Sequence, residues 1–340
     1  MRYLITGGAG FIGSNLVHRL LHRGEHVTIY DNLSRHGAAA NLAWLASEFG
    51  EHAFTFVKGD IRDASLVTAT ARDADVIIHL ASQVAVTTSV LHPRDDFEHN
   101  AIGTFNVLEA ARLSGRSPIV LYASTNKVYG GMEDVVVEEQ ETQYAYRDYP
   151  DGIPETHPLD FHSPYGCSKG TGDQYVRDYA RIYDLRTVVF RQSCIYGPRQ
   201  FGVEDQGWVA WFIIAVQRNH PITIYGDGKQ VRDLLYVDDL VNAYETAVAH
   251  IDQAAGQIYN VGGGPNNTLS IWCEFQPLLE KLAGHPIPVT RGDWRPGDQR
   301  IYVSNIAKAK RELGWEPQVN VEAGITKLYN WVAANRTLFR

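Results

Sequence analysis

Short apolar runs alternate with amphipathic stretches through the first half of the chain. This alternation is typical of a parallel sheet with helices on both faces, because a crossover helix follows each strand. The apolar runs predict strands at residues 2–6, 26–30, 54–58, 76–80, 119–123 and 187–191. The amphipathic stretches predict helices near residues 11–23, 64–71, 101–114 and 164–183. We therefore expect an α/β fold built on a doubly wound parallel sheet.

The pattern changes after about residue 194, where Pro, Gly and Trp become frequent and the apolar segments shorten. We expect a smaller α/β lobe here, which covers the mouth of the sheet and binds substrate. A helix at 234–250 and a strand at 257–262 are expected to return to the first domain. The predicted division is therefore residues 1–193 plus 233–262 for the first domain, and residues 194–232 plus 263–340 for the second lobe.

Two segments stand apart from this alternation. Residues 134–162 contain many Tyr, Asp and Pro residues and little periodicity, which predicts a long loop that is either functional or a plain surface excursion. Residues 208–216 form an apolar run of nine residues. That run is too short to span a bilayer, so we expect a buried or dimer-facing helix segment.

Composition narrows the class of protein further. A formal net charge of −8 without a basic run argues against a nucleic-acid partner. The three cysteines, Cys167, Cys194 and Cys273, are odd in number and widely spaced, so neither a disulfide framework nor a metal site is expected. The first predicted strand begins at Arg2, so we expect no signal peptide and no membrane partner. A cytoplasmic location fits these features best.

A glycine-rich turn follows the first predicted strand and opens a predicted helix. Its spacing is GxxGxxG, with the sequence Gly7-Gly8-Ala9-Gly10-Phe11-Ile12-Gly13. At such a junction Gly7 makes the tight turn, Gly10 lets the backbone approach a pyrophosphate, and Gly13 permits close helix packing. The position of the motif favours a dinucleotide site of the Rossmann type over a merely structural turn.

An acidic residue, Asp31, ends the second predicted strand 18 residues beyond Gly13. A carboxylate there accepts hydrogen bonds from the ribose hydroxyls and repels a 2′-phosphate, which favours NAD over NADP. Arg35 qualifies this preference because it lies close by in sequence. Further cofactor contacts are expected at the carboxyl ends of the strands, from Asn32, Ser34, Asp60, Ile61, Leu80, Ala81 and Ser82.

The candidate catalytic residues lie on a predicted helix and at the end of the fifth strand. Tyr165 and Lys169 form a YxxxK pair, and their i, i+4 spacing places both on one helical face. We expect the lysine to lower the pKa of the Tyr165 phenol so that it acts as a base; the alternative is an ordinary exposed helix face. Ser124 and Thr125 could hydrogen-bond a sugar hydroxyl, or could simply cap the strand.

Several motifs together carry a family resemblance over nearly the whole chain. They are GGAGFIG at 7–13, STNKVYG at 124–130, YxxxK at 165–169, YGPR at 196–199 and GDGKQVRD at 226–233. With these motifs the chain resembles extended short-chain dehydrogenases that act on nucleotide sugars. The longer stretches LDFHSPYGCSK at 159–169 and DQGW at 205–208 resemble the NAD-dependent epimerases of this family that act on CDP-sugars.

The resemblance implies epimerisation at carbon 2 of a CDP-hexose, by oxidation to a 2-ketosugar, rotation and re-reduction. A 4-epimerase acting on a UDP- or dTDP-sugar remains the main alternative. A net sugar dehydrogenase and a non-catalytic redox-sensing protein are less favoured. The related 4,6-dehydratases carry acidic residues where this chain has Asn126 and Lys127, so the resemblance disfavours elimination of water.

The resemblance also assigns roles to individual residues. Thr125, Tyr165 and Lys169 become the catalytic trio, with Ser124 beside them, and Arg232 and Arg295 match the diphosphate-binding positions. Cys194 departs from the Asn common at its position, and Tyr225 could stack on the base or lie in the core. The expected substrate-binding residues are Gln83, Thr125, Asn126, Lys127, His162, Cys194, Arg199, Gln206, Tyr225, Arg232, Arg295 and Asp298. A homodimer through the helices at 101–114 and 166–183 is likewise implied.

Overall fold

A seven-stranded parallel sheet forms the centre of the molecule in a computed structural model, which describes residues 1–295 and 298–339. The strands of the described residues are β1 (Arg2–Thr6), β2 (His26–Asp31), β3 (Thr55–Lys58), β4 (Val76–His79), β5 (Ile119–Thr125), β6 (Val137–Glu139), β7 (Tyr144–Tyr146), β8 (Thr187–Gln192), β9 (Ile195–Tyr196), β10 (Ile222–Tyr225), β11 (Val231–Asp233), β12 (Leu235–Tyr236), β13 (Gln257–Val261), β14 (Thr268–Ser270), β15 (Val289–Gly292) and β16 (Ile301–Tyr302). The order across the large sheet is β13-β8-β5-β4-β1-β2-β3.

Helices cover both faces of this sheet and form much of the second apolar core. They are α1 (Phe11–His22), α2 (Ala38–Phe49), α3 (Ala64–Ala71), α4 (Val86–Leu91), α5 (Pro93–Phe97), α6 (Gly103–Leu113), α7 (Ser163–Tyr183), α8 (Trp208–Arg218), α9 (Val237–Ala249), α10 (Ile251–Ala254), α11 (Phe275–Ala283), α12 (Ala307–Leu313) and α13 (Val321–Ala334). One π-helical turn (Glu98–Ile102) and two 3-10 turns (Asn126–Tyr129 and Arg336–Leu338) complete the set. No helix in the described part of the chain is both long and apolar enough to cross a membrane.

The strand order explains where a site can form. The chain runs outward from β1 to β3, and then crosses to β4 on the opposite side of β1. The connections leave β1 and β4 in opposite directions, so a crevice opens at their carboxyl ends. Those ends lie side by side, because Thr6 pairs with His79 in the β1–β4 register. The predicted α/β fold is thus confirmed.

The second lobe has its own apolar core. The predicted run at 208–216 lies in α8, and Phe212, Ile213 and Ile214 of that helix are buried. They pack with Trp272 and Phe275 beside α11 and with the inner face of α13. This core also includes Ile222 and Ile224 of β10 and Leu269 of β14.

Three sequence predictions about secondary structure need correction. Residues 134–162 are not a loop throughout, because β6 and β7 form an antiparallel pair within them. The helix predicted at 234–250 begins at Val237, since Leu235 and Tyr236 pair with β9 instead. Helix α2 was not predicted, although its Ala- and Leu-rich sequence has high helix propensity. The first two errors arise because the residues pair as strands. The third arises because the polar face of α2 is weak, which hides its helical periodicity.

Candidate active site

A cleft runs over the carboxyl ends of β1, β2, β4 and β5, in the crevice that the strand order opens. It brings together most of the predicted cofactor residues and the predicted catalytic pair, Tyr165 and Lys169. The predicted residues that line it are Gly7, Gly10, Phe11, Ile12, Gly13, Asp31, Asn32, Ser34, Arg35, Ile61, Leu80, Ala81, Ser82, Ser124, Tyr165, Lys169, Arg199 and Gln206.

The glycine-rich turn leaves room for a ligand at the N-terminus of α1. Gly7 has a φ of +71°, and a Cβ there would lie 2.8 Å from the Ala81 nitrogen. A Cβ at Gly13 would collide with the Gly7 carbonyl oxygen, so this position needs glycine for close packing. The backbone of Gly10 is extended and opens the helix, whose first N–H groups face the cleft end. A phosphate group fits such a helix N-terminus electrostatically.

The Asp31 carboxylate is buried at the far end of the cleft. Its Oδ1 accepts a hydrogen bond from Leu33 N at 2.8 Å, and its Oδ2 accepts one from Ala9 N at 3.0 Å. Burial raises the pKa of this carboxyl, and these backbone N–H groups oppose that rise by stabilising the charged form. The group is therefore held rigidly beside the glycine-rich turn, where an adenosine ribose would lie in a dinucleotide complex.

Asp60 occupies a different setting from the one we expected. Its carboxylate accepts two hydrogen bonds of 2.9 Å from Arg62 and one of 3.3 Å from Asn32. Its neighbours Gly59 and Ile61 line the cleft, but the Asp60 side chain is not among the lining groups. The Asp60 side chain thus holds Asn32 and the segment after β3 in place. It would affect a bound cofactor only indirectly.

Tyr165 and Lys169 lie one turn apart on α7, and both are buried in the cleft. Burial raises the pKa of Tyr165 to about 12, while a hydrogen bond with Thr125 lowers it and the charge of Asp96 raises it further. Burial also lowers the pKa of Lys169, to about 7, and the charges of Asp96 and Asp173 oppose that fall. The predicted effect of the lysine charge on Tyr165 stays a prediction.

Ser124, for which we predicted a catalytic role, has its hydroxyl in a buried hydrogen bond. Its hydroxyl donates a 2.7 Å hydrogen bond to Asp173 Oδ2. Asp173 is fully buried and also accepts two hydrogen bonds of 2.9 Å from Arg191. Although Ser124 lines the cleft, its hydroxyl is engaged with this ion pair beneath the site. Thr125 is the better placed of the two hydroxyls to contact a substrate beside Tyr165.

A second polar group lies on the side of the smaller lobe. Lys127 Nζ donates a 2.7 Å hydrogen bond to Gln299 Oε1, and burial lowers the pKa of Lys127 to about 8. Arg232 donates a 3.0 Å hydrogen bond to Asp298 Oδ1. The charges of Arg232 and Asp298 both act on Lys127. The two cations, Lys127 and Arg232, outnumber the one carboxylate, Asp298, so this group is net positive. It lies next to Thr125, which we predicted to be catalytic.

Arg295 lies at the outer rim of the smaller lobe. Its guanidinium stacks 3.9 Å above the ring of Tyr225 and contacts Asp205 at 3.1 Å. The Tyr225 hydroxyl in turn donates a 2.9 Å hydrogen bond to Glu204. Tyr225 is therefore not a core residue, and an aromatic face at this rim suits a nucleotide base once Arg295 moves to a phosphate.

Four predicted substrate residues lie elsewhere. Arg199 and Gln206 line the cleft of the glycine-rich turn, and the Arg199 guanidinium stacks 3.9 Å above the ring of Trp44. Gln83 donates a 2.9 Å hydrogen bond to the buried Asp96, and His162 is exposed at the start of α7. The sequence did not predict the placement of Arg199, because Arg199 belongs to a loop that folds back over α2.

Cys194 is placed beside the Lys127 group, as expected for a substrate contact. Trp208 donates a hydrogen bond from its indole nitrogen to the Cys194 sulfur at 3.1 Å, and burial raises the pKa of this thiol to about 12. The thiol is therefore neutral. All three cysteines of the chain are unpaired.

Sequence reasoning missed several cleft residues. They are Tyr30, His36, Ala38, Asn41, Gly59, Val84, His99, Ala123, Gln192, Gln200, Phe201 and Gly202. Gln200 and Phe201 adjoin the Arg199 motif, so extending that motif by two residues would have found them. His99 precedes α6 and offers no motif, and only the fold brings it to the cleft.

Comparison with known proteins places this geometry in a family. Residues 4–328 match the family described as GDP-mannose 4,6 dehydratase. The chain belongs to this family. Within the GDP-mannose 4,6 dehydratase family, CDP-paratose 2-epimerase from Salmonella typhi is 46% identical over 98% of this chain and 100% of that protein.

Solved structures agree with this assignment and confirm the resemblance to extended short-chain dehydrogenases. UDP-glucose 4-epimerase from Thermotoga maritima, solved with UDP-glucose, has a TM-score of 0.83 and 31% identity, covering 99% of this chain and 100% of that chain. The dTDP-glucose 4,6-dehydratase of Streptomyces venezuelae, solved with NAD bound, has a TM-score of 0.84 and 30% identity, covering 100% of this chain and 99% of that one. The chain is therefore similar in structure to both an epimerase and a dehydratase.

This member of the GDP-mannose 4,6 dehydratase family lacks the acidic pair at Asn126 and Lys127. The structure places both residues directly after β5, with Asn126 buried and Lys127 half-buried beside Thr125. An amide and an amine there cannot replace two carboxylic groups in removing a proton and a hydroxyl from adjacent carbons.

Proposed function

We propose that the chain is an NAD-dependent epimerase that inverts carbon 2 of a CDP-hexose. The observation that carries this proposal is the 46% identity with a CDP-paratose 2-epimerase along the full length of both chains. The site supports it, because Tyr165, Lys169 and Thr125 adjoin a dinucleotide cleft. Position 127 also carries a lysine, where the related 4,6-dehydratases carry an acidic residue. NAD suits the cleft because the buried Asp31 carboxylate is held where it would repel a 2′-phosphate.

The residues of this chain would divide the work as follows. When bound, NAD accepts a hydride from the sugar carbon and returns it. Tyr165 Oη takes the proton of the sugar hydroxyl and later gives it back to the oxygen. Thr125 hydrogen-bonds the same oxygen, and the Lys169 ammonium stabilises the phenolate that forms. Burial of Tyr165 and Lys169 excludes water, which would otherwise protonate the base.

Inversion also requires that the sugar turn while the nucleotide stays bound. Arg232 and Arg295 would hold the diphosphate, because a guanidinium meets phosphate oxygens with two hydrogen bonds. In the structure each Arg contacts a carboxylate, Arg232 on Asp298 and Arg295 on Asp205. Those contacts keep the guanidinium groups oriented toward the rim. Lys127 lies between this clamp and Thr125, and would contact the sugar.

A 4-epimerase acting on a UDP- or dTDP-sugar is the second candidate. The full-length similarity to UDP-glucose 4-epimerase of Thermotoga maritima favours it, since the same trio serves either carbon. Incubation with CDP-, UDP-, GDP- and dTDP-hexoses, followed by NMR of the products, separates the two. Inversion at carbon 2 that occurs with CDP-sugars alone supports the proposal. Inversion at carbon 4 of a UDP- or dTDP-sugar overturns it. Net NADH formation would instead indicate a dehydrogenase.

We also propose a homodimer through α6 and α7. These helices expose large apolar side chains on one surface, with Leu113 61% and Ile182 63% exposed. Phe105 of α6 packs edge-on against Tyr175 of α7 at 6.0 Å, and both rings are exposed. A continuous apolar surface across two helices suits a four-helix bundle with a second copy.

A further inference from the structure

A cluster of nitrogen and oxygen ligands lies outside the cleft, between α1 and α2. His18 and His22 are one turn apart on α1, and Glu48 faces them from the end of α2. One ligand atom from each of the three lies within 4.8 Å of the other two. We propose that His18, His22 and Glu48 bind a divalent transition-metal ion of the zinc type, with water as a fourth ligand.

The three ligand atoms lie near enough to one another to converge on one ion. Zinc holds imidazole nitrogens and carboxylate oxygens at about 2 Å, so its ligand atoms lie about 3.4 Å apart. His22 and Glu48 are both exposed, so small rotations of these side chains close the remaining gap. The i, i+4 spacing on α1 already places the two imidazoles side by side, with ring centroids 4.5 Å apart.

Aromatic neighbours hold the two imidazoles in place. His18 stacks on Trp44 with ring centroids 4.8 Å apart, and His22 meets Phe49 edge-on at 4.8 Å. Such packing reduces the rotamer entropy that the side chains lose when an ion binds.

The ligand atoms of the cluster select the class of ion. They are two imidazole nitrogens and one carboxylate oxygen, so the cluster lacks the several oxygen ligands that Mg²⁺ or Ca²⁺ needs. Zinc is favoured because it bonds strongly to imidazole nitrogen.

A bound ion would join two helices that both line the cleft. Phe11 and Ile12 begin α1, and Ala38 and Asn41 begin α2, and all four residues line the cofactor cleft. The proposed ion lies at the opposite end of both helices. It would therefore stabilise the packing of α1 on α2 without entering the chemistry at Tyr165.

The test is a titration of Zn²⁺ into the full-length, EDTA-treated protein, followed by calorimetry and by thermal unfolding. We expect saturable binding of one ion per chain and a rise in Tm. His22→Ala and Glu48→Gln should each weaken binding at least about tenfold and remove the Tm rise. His26→Ala, which removes an exposed histidine outside the cluster, should change neither.

Two outcomes would overturn the proposal. One is the absence of saturable Zn²⁺ binding to the wild-type protein. The other is equal binding by the wild-type, His22→Ala and Glu48→Gln proteins, which would mean that the ion binds elsewhere. Co²⁺ gives an independent reading, since a tetrahedral nitrogen and oxygen site produces visible absorption that His22→Ala should lose.

Discussion

The Lys169 ammonium lies 4.3 Å from the centroid of the Tyr122 ring, on the floor of the cleft. The negative face of an aromatic ring attracts a cation, and the attraction is stronger when water is excluded. The Tyr122 hydroxyl also donates a 3.3 Å hydrogen bond to the Lys169 carbonyl. Tyr122 therefore holds the lysine at both its side chain and its backbone.

The first prediction concerns the proposed base. Tyr165→Phe keeps the ring in its buried position and removes only the hydroxyl that exchanges the proton. Turnover should fall at least ~10²-fold, the lower end of the effect of losing an acid/base group, while CDP binding is retained. Tyr175→Phe is a matched control on the same helix, and its turnover should be normal. Near-normal turnover of Tyr165→Phe would refute the assignment of the base.

The second prediction concerns the nucleotide clamp. Arg232→Ala should raise the Kd for CDP about tenfold or more, because a charge-assisted hydrogen bond contributes roughly 1.5–3 kcal/mol. The Kd for NAD should not change, since Arg232 lies on the side of the smaller lobe. Calorimetric titration with each ligand measures both constants. The exposed Arg218 on α8 provides a control, Arg218→Ala, and an equal loss of affinity there would contradict the clamp.

The third prediction concerns assembly. Ile182→Glu places a charge in the exposed apolar surface of α7, where Ile182 makes little contact within its own chain. If two copies pack there, burial of the unpaired charge should shift the protein from dimer to monomer. Light scattering coupled to size exclusion measures the mass, and circular dichroism checks the fold. A wild-type protein that is monomeric at micromolar concentration would contradict the proposed dimer.

The fourth prediction concerns stability in acid. His79 is buried, with one ring nitrogen 2.7 Å from Thr6 Oγ1 and the other 3.1 Å from Thr104 Oγ1. Burial lowers its pKa to about 3, and the charge of Lys169 lowers it further. Between about pH 6 and pH 3 the unfolded chain binds a proton here that the folded chain does not. Stability should therefore fall as the pH falls, by up to about 1.4 kcal/mol per pH unit from this group.

Urea unfolding at several pH values measures this slope. His79→Asn should have a shallower slope, whatever its absolute stability. His92→Asn replaces an exposed histidine and should keep the wild-type slope. Equal slopes for all three proteins would show that His79 does not titrate as its burial requires.

The sequence predicted the large sheet well because each strand carries its own signal. Strand β1 and helix α3 were predicted with their observed bounds, since apolar runs between polar ends define them. The glycine-rich turn was predicted for the same reason, because its residues are adjacent in the chain. A local sequence pattern is sufficient to predict a site when the residues that form it are adjacent in the chain.

Contacts between distant segments could not be predicted in this way. Ser124 follows the sequence pattern of a catalytic hydroxyl, but Asp173, 49 positions away, accepts its hydrogen bond. Arg199 matches a substrate motif, but its loop carries it to Trp44 and the cofactor cleft. The effect of Lys169 on Tyr165 depends on burial of both groups, which spacing on a helix does not reveal.

The most direct test of the central claim uses a CDP-hexose that carries deuterium at carbon 2. The proposed reaction removes that hydrogen as a hydride and returns it to the opposite face of the same carbon. NMR of the product should show carbon 2 inverted with the deuterium retained, in water as solvent. Loss of the deuterium to solvent, or inversion at carbon 4 with carbon 2 unchanged, would contradict the account.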